Sequence, residues 1–365
     1  MTPLAPGETI GILGGGQLGR LLSLAAARLG FDVHIYCPAA DTPAARVSAA
    51  STVAAYEDEA ALARFANACS VVTYEFENVP VSAVEAVEAA GCPVRPGAKA
   101  LDVSQDRLNE KTFLRSIGIG TVDFVAVEGP EALAPALEAI GGAGILKTRR
   151  EGYDGKGQVR LFPDGRGLAD GEALAAKSPC ILEAFAPFER EVSVIIARTP
   201  SALLAYDPAE NTHEQGILVR SQVPAGISTA VTKAVFAAGR RLADALDYVG
   251  VFGLEVFVLP GGEVLANEMA PRVHNSGHWT ADACVTGQFE QHIRAVAGWA
   301  LGSAQRHYDV DMRNALGVAI ADMPHIDDPF VRQTLYGKRE SRKGRKMAHF
   351  TRLTPLGSAA QTLER

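Results

Sequence analysis

Apolar and polar positions along the first hundred residues alternate between two periods. Residues 9–13 (TIGIL) are a short apolar run that predicts a strand. The glycine turn at 14–19 (GGGQLG) follows, and 21–29 carry the helical repeat. A second strand is predicted over 31–36, closed by Pro38. A helix over 60–66 comes next, then a strand over 70–74 that runs into the polar stretch EFENVP. Residues 81–90 predict a helix stopped by Gly91. Strands alternating with helices imply a parallel, doubly wound sheet.

The pattern changes near Ser104. A helix is predicted over 105–117, ended by Gly118. Strands over 144–148 and 158–162 flank the glycine-rich stretch REGYDGKG, and a helix over 171–177 and a strand over 180–185 complete a small α+β unit. From Glu191 onward strands dominate, interrupted by one long helix over 229–246. The chain thus reads as three units: an N-terminal α/β domain at 1–104, a lid domain at 105–187 and a strand-rich domain at 188–365. No internal repeat is visible.

Composition narrows the class. The 365 residues are 47% hydrophobic and 21% charged, which excludes collagen, a disulfide scaffold and wholesale disorder. No run approaches the ~18 apolar residues of a membrane helix. The opening MTPLAPGETIGIL has no basic region or cleavage site, so no secretory signal is expected. Five scattered cysteines without a CxxC pair point to a reducing, cytoplasmic setting. The net charge of −7 argues against nucleic acid as a partner. It is uneven, however: KRESRKGRK at 338–346 holds six cations and one acid, so it carries +5 and the remainder −12. Such a run is either a solvated loop or a grip on a small phosphorylated ligand.

Four motifs carry candidate chemistry. The first, residues 14–19, is a formal GxGxxG between strand and helix, able to present amides to a phosphate. A dinucleotide fold also needs an acid at the end of the second strand. That position reads Tyr36-Cys37-Pro38, so a nicotinamide cofactor is disfavoured and a phosphate turn or structural turn remains. The second is Lys147, a lysine inside the apolar strand ILKT, followed by Gly152, Gly155 and Gly157. A lysine there calls for an anion, and the glycines suit a phosphate-covering lid or a plain hairpin.

The third motif is a predicted hairpin, LEVFVL and VLANE around PGGE. A two-residue Gly-Gly turn puts Glu255 directly opposite Glu268. Facing carboxylates repel unless a cation lies between them, and oxygen-only ligands suit Mg²⁺. The alternative is a solvated face. The fourth, NEMAPRVHNSGHWT, sets Arg272 and His274 beside those acids, where they can hold a small anion. His274 and His278 without an HExxH or cysteines do not make a persuasive zinc site.

In order, GILGGGQLGR, YEFENV, LKTRREGYDGKGQ, NTHEQGIL, GLEVFV and NEMAPRVHNSGHWT resemble the ATP-grasp enzymes and, within them, the N5-carboxyaminoimidazole ribonucleotide synthetases of purine synthesis. The resemblance spans nearly the whole chain, from about residue 9 to the LYGK and GRKMAHFT segments. It departs at Glu151, where the family usually has glycine. The resemblance implies an ATP-grasp fold and an ATP-dependent carbon–nitrogen ligase that carboxylates 5-aminoimidazole ribonucleotide with bicarbonate through carboxyphosphate. A related purine-pathway ligase or formate-dependent transformylase is the runner-up.

It also implies roles. Arg107 and Lys147 would meet ATP phosphates under the loop of Gly152, Tyr153, Asp154, Gly155, Lys156, Gly157 and Gln158. Glu183, Ala184, Phe185 and Ala186 would line the adenine, Glu191 would hold the ribose, and His213 would lie near the nucleotide. Glu255 and Glu268, with Asn267 beside them, would bind Mg²⁺. Arg272, His274 and Asn275 would position bicarbonate, while Tyr153 and Asp154 would reach the aminoimidazole. Lys338 and Arg345 would take the ribonucleotide phosphate, with Gln17 and Glu75 nearby. Alanine-rich helices of the first domain suggest a homodimer.

Overall fold

The computed structural model describes residues 2–152 and 157–357. Tyr153, Asp154, Gly155 and Lys156 lie outside the described residues. In the first sheet, β1 (Thr9–Leu13), β2 (Asp32–Cys37), β3 (Ala50–Val53) and β4 (Val71–Tyr74) pair in parallel in the order β3-β2-β1-β4. α1 (Gln17–Arg28) connects β1 to β2, α2 (Glu59–Asn67) connects β3 to β4, and α3 (Val81–Ala89) follows β4. The predicted alternation therefore stands, with β3 added. That edge strand reads ASTV and is mostly exposed, so it has no apolar period to detect.

The helix expected over 105–117 is α5 (Arg107–Ser116), and a helix that the pattern does not predict, α4 (Ala98–Gln105), precedes it. α4 stops, and Asp106 caps α5 by accepting the N–H groups of Leu108 and Asn109 at 3.0 and 3.3 Å. The same carboxylate takes Arg149 Nε at 3.0 Å, which ties the start of α5 to the edge of the lid.

The lid sheet contains β5 (Phe124–Val127), β6 (Gly144–Thr148), β7 (Gln158–Leu161) and β8 (Cys180–Ala184), antiparallel in the order β5-β8-β6-β7. It buries its own core, including Leu146, Leu161 and Leu182, beneath α6 (Leu133–Ala139) and α7 (Leu168–Ala175).

The third sheet is antiparallel and begins with β9 (Arg190–Thr199), β10 (Ala202–Ala205), β11 (Ala209–Glu214) and β12 (Ile217–Val223). After α8 (Thr229–Ala245) come β13 (Gly250–Val258) and β14 (Val264–Ala270). α9 (Thr280–Ala283) and α10 (Gln288–Val296) precede β15 (Tyr308–Leu316), β16 (Val331–Leu335) and β17 (Lys346–Pro355). The order is β14-β13-β9-β11-β12-β15-β17-β16, with β10 on β9.

Two packing facts position the cleft. α10 lies against both α1 and the strands β9 and β13, so one core runs from Ile10 and Leu22 through Ile293 to Ile195 and joins the first sheet to the third. α5, which the sequence places with the lid segment, buries Leu114 among Val192, Val194 and Met269 of the third sheet. The lid therefore hangs from a joint beside α5 while the other two units are fused.

Candidate active site

The β13–β14 hairpin sets the acids. Near its turn, Val258 pairs with Val264 and Val256 with Ala266; beyond a bulge, Glu255 pairs with Glu268. Leu259 N–H donates to the Glu263 carbonyl at 2.9 Å, so the loop is Pro260-Gly261-Gly262 rather than the expected two-residue turn. The expected acid pairing is reached because Asn267 is an extra residue that restores the register.

The face of α5 carrying Arg107, Glu110, Lys111 and Leu114 covers this edge strand. Glu110 accepts the Met269 N–H at 2.6 Å and Lys111 donates to the Asn267 carbonyl at 2.9 Å. Arg107 donates to Glu268 at 3.0 Å and to the Gly152 carbonyl at 3.1 Å. Burial and the facing acid push Glu255 up to about 7. Burial would raise Glu268 too, but Arg107 outweighs it and holds that carboxyl well below the usual range. Burial, reinforced by Glu268, lifts Glu110 to about 8.

The loop after β14 seats on Gly253. A Cβ there would meet the His274 Cβ at 2.8 Å, so only glycine admits the ring. His274 Nδ1 accepts the Ser276 N–H at 3.4 Å and lies 2.8 Å from Ser276 Oγ, which itself accepts from Ser193 Oγ at 2.7 Å. Nε2 is thereby left to face Glu255, 3.4 Å away. Burial first, then Arg272 and Lys346, lower His274 to about 3, so the ring is neutral at pH 7. Buried Gln288 accepts the His274 N–H at 3.0 Å and donates to its carbonyl at 2.8 Å.

Arg272 is held by Glu77 of the YEFENV stretch. Burial opposes charge on both, yet their pairing keeps Arg272 above and Glu77 below their ordinary values. Asn275 lines the cleft, but both atoms of its amide are bonded to Asn314, at 2.6 and 3.0 Å. His278 turns away to Gln288 and His349, so it does not ligate together with His274. Among the described residues no three His, Cys, Asp or Glu side chains converge as a metal cluster.

The anion that Lys147 requires is Glu183, at 2.9 Å, and Lys111 reaches the same oxygen at 3.4 Å. Burial would raise Glu183, but the two lysines hold it below its ordinary value. The residues expected to line the adenine, 183–186, run along the end of β8 and out of it. β8 is an interior strand of the lid, Glu183 is 3% exposed, and Ala184 N–H is bonded to the Asp123 carbonyl at 2.8 Å. Phe185 is exposed against Phe162, and Ala186 is only half-buried. Ile145, Leu218, Phe257 and Met269 form the apolar wall of the cleft.

That cleft, about 380 Å³, also takes in Arg107, Lys147, Gly152, Gln158, Glu191, His213, Glu255, Asn267, Glu268, Arg272 and His274. Gly157 closes the lid hairpin by giving its carbonyl to Thr148 N–H at 2.8 Å. Glu191 holds His213 Nδ1. Burial disfavours charge on His213, but Glu191 and Glu255 outweigh it and raise its pKa.

The glycine turn is no free phosphate cradle. Glu75 accepts Gly16 N–H at 2.8 Å and Gly19 N–H at 3.2 Å, so a protein carboxylate takes the anion position. This removes the dinucleotide alternative; Gln17, between the two bonded glycines in sequence, is half-buried. The tail is exposed over 339–343 but anchored at both ends. Lys338 is 9% exposed and donates to the Lys346 carbonyl at 2.7 Å, while Arg46 bonds the Gly337 carbonyl and Arg339 pairs with Asp41 at 2.9 Å. Half-buried Arg345 donates to the Glu340 carbonyl at 2.8 Å.

Sequence reading missed Lys111, Glu110 and Gln288. The signal for the first two was present: charges three and four residues after Arg107 share its helix face with Leu114. Gln288 left no such signal.

The ATP-grasp domain family matches residues 112–289, the ribonucleotide synthetase preATP-grasp domain family matches 7–105, and the phosphoribosylaminoimidazole carboxylase C-terminal domain family matches 311–362. The chain is 54% identical to N5-carboxyaminoimidazole ribonucleotide synthase of Brucella melitensis biotype 1, over 97% of this chain and 98% of that one. The crystal structure of the Thermus thermophilus synthetase is similar at TM-score 0.87 and 43% identity, covering 94% and 93% of the two chains. The Aspergillus clavatus enzyme in complex with ADP and 5-aminoimidazole ribonucleotide is similar at TM-score 0.90 and 30% identity, covering 98% and 96%.

Proposed function

The chain belongs to the N5-carboxyaminoimidazole ribonucleotide synthase family of ATP-grasp ligases, which carboxylate 5-aminoimidazole ribonucleotide with ATP in purine biosynthesis, and from that premise we propose how its residues divide the work. The observation that carries the reading is the facing pair Glu255 and Glu268 in one cleft with Lys147 and the Arg272–His274 loop.

ATP lies between the lid and the third sheet. Arg107, Lys147, Gly152, Gly157 and Gln158 take its phosphates, together with the lid residues 153–156. Glu183, Ala184, Phe185 and Ala186 line the base at the end of the lid strand, opposite Ile145, Leu218 and Phe257, and Glu191 and His213 hold the ribose. Mg²⁺ fits the acids: two oxygen donors face each other, and water and phosphate would complete its coordination. Bound there by Glu255 and Glu268 beside Asn267, it would neutralise phosphate charge.

Arg272 fixes a bicarbonate beside His274, whose neutral Nε2–H donates a hydrogen bond. A bicarbonate oxygen attacks the γ-phosphorus, ADP leaves, and carboxyphosphate forms. The exocyclic amine of the ribonucleotide then takes the carboxyl carbon as phosphate leaves and the amine gives up a proton. Open water would destroy the intermediate, which is the reason for a lid. Tyr153 and Asp154 meet the aminoimidazole, Lys338 and Arg345 its phosphate, and Gln17 and Glu75 border it. With its amide held by Asn314, Asn275 shapes the bicarbonate pocket rather than donating freely.

We also propose the domain limits 1–104, 105–187 and 188–365, a cytoplasmic location supported by five free thiols, and a homodimer through the outward face of α1, where Leu24 is 47% exposed. The deciding experiment measures ADP release with 5-aminoimidazole ribonucleotide, with and without bicarbonate. Release that needs both supports the reading. Release that instead needs formate or glycine with a different ribonucleotide redirects it to the runner-up ligases.

A further inference from the structure

We infer that Lys111 is a positioning residue for the nucleotide and its metal: it locks the bulge that sets Glu268 opposite Glu255, and it shares the carboxylate that seats Lys147. The inference rests on the metal and ATP reading above.

Lys111 is 1% exposed in the middle of α5. Burying an ammonium is costly, and a well-packed apolar side chain in such a place is commonly as stable or more so. Helix packing therefore does not call for a lysine. Its two partners do. One is the carbonyl of Asn267, the bulged residue, at 2.9 Å. A bulge leaves backbone groups outside the ladder, and a buried carbonyl there needs a donor from elsewhere. The other is Glu183 Oε2, 3.4 Å from Lys111 and 2.9 Å from Lys147.

Consider the hairpin without that lock. The pairing next to the turn, Val256 with Ala266, continues by one step to put Glu255 opposite Asn267. Only the extra residue moves Glu268 into that place. On the other side, loss of Lys111 leaves Glu183 with Lys147 alone and draws the Lys147 ammonium toward it. Both changes degrade the same function, the joint binding of metal and phosphate. Neither touches Arg345 or the tail.

The test is calorimetric titration of ADP into the full chain at graded Mg²⁺, with the KM for 5-aminoimidazole ribonucleotide measured alongside. Lys111→Met is expected to raise the Mg²⁺ concentration needed for half-maximal ADP binding by about 10–100-fold, the range for removing a supporting partner of a metal ligand. The ribonucleotide KM is expected to stay within about twofold, against the tenfold that 1.4 kcal/mol represents. A folded Lys111→Met protein with wild-type Mg²⁺ dependence overturns the inference, whatever its melting temperature. If that variant does not fold, Lys111→Arg decides. It keeps the charge but cannot place a compact ammonium at both partners, so the requirement rises by a smaller factor, and a wild-type value overturns the inference. Glu268→Gln separates the two layers. If it keeps wild-type Mg²⁺ dependence, the metal reading fails and this inference with it. If it loses that dependence while Lys111→Met does not, only the role of Lys111 fails.

Discussion

Glu255 and Glu268 face each other across a ladder whose two halves are out of step by one residue, with Asn267 as the surplus. Their chemistry is split as well: Glu268 is held ionised by Arg107 at 3.0 Å, whereas Glu255, against neutral His274, is raised. A divalent cation entering between them would replace both arrangements. Glu268→Gln keeps the shape and removes the charge. It should cut bicarbonate-dependent ATP turnover by about 100-fold or more, the scale of losing one preorganised electrostatic contact, with an unchanged circular-dichroism spectrum. Turnover near wild type would defeat the metal assignment.

The tail segment offers a second test. Lys338 is buried at the seam between the cleft wall and the first domain, and Arg345 sits at the other end of the same turn. Replacing either with alanine should raise the KM for 5-aminoimidazole ribonucleotide about tenfold, corresponding to about 1.4 kcal/mol, and leave the KM for ATP alone. An unchanged ribonucleotide KM would move the phosphate elsewhere.

Gly14 has φ +111°, and a Cβ there would meet Glu75 Cγ at 2.6 Å. Gly14→Ala therefore incurs both backbone strain and a clash with the carboxylate that caps the turn. A loss of about 1–3 kcal/mol is expected in urea unfolding. Glu75→Gln keeps one acceptor of two and should lose less. Equal stability of Gly14→Ala and wild type would contradict this account of the turn.

Asp106 joins α5 to the lid, and although burial opposes its charge, Arg149 and the helix N–H groups hold its pKa below 3.8. A depressed acid stabilises the fold above its unfolded pKa, and that contribution is lost as pH falls toward the folded value. Asp106→Asn should therefore cost about 1–3 kcal/mol at pH 7. The gap between variant and wild type should close below about pH 4. A gap independent of pH would mean that charge is not what Asp106 contributes.

Glu151 occupies a left-handed conformation, φ 61°, at the place where the family usually has glycine. Glu151→Gly removes the steric cost of that conformation, about 1–2 kcal/mol. It also loosens the unfolded chain by about 0.4–1 kcal/mol. The melting temperature should hold or rise slightly, measured by differential scanning calorimetry. A clear fall would show that the Glu151 side chain has a stabilising contact.

Much was legible in the linear pattern because the relevant interactions are local or periodic. The βα alternation of the first domain, the lysine strand, and a hairpin carrying two acids all follow from spacing along the chain. The acid pairing itself came from a turn that the protein does not use. Long-range facts were hidden for a different reason. Glu183 resembles a site residue in sequence, but no local pattern shows that its β8 position turns its carboxylate inward between two lysines. Asn275 lies in a polar loop beside the acids, yet Asn314, far along the chain, takes its amide.

Local periodicity was enough for most strands and helices around the cleft, and the motifs for the residue types gathered there and for the family. Tertiary structure alone decided the bulge at Asn267, the occupation of the glycine turn by Glu75 and the placement of Lys111 beneath the acid hairpin. Periodicity is written within a few residues of chain. The partner of a buried charge is chosen by whichever distant group the fold brings within about 3 Å, because an ion or carbonyl removed from water must be matched there.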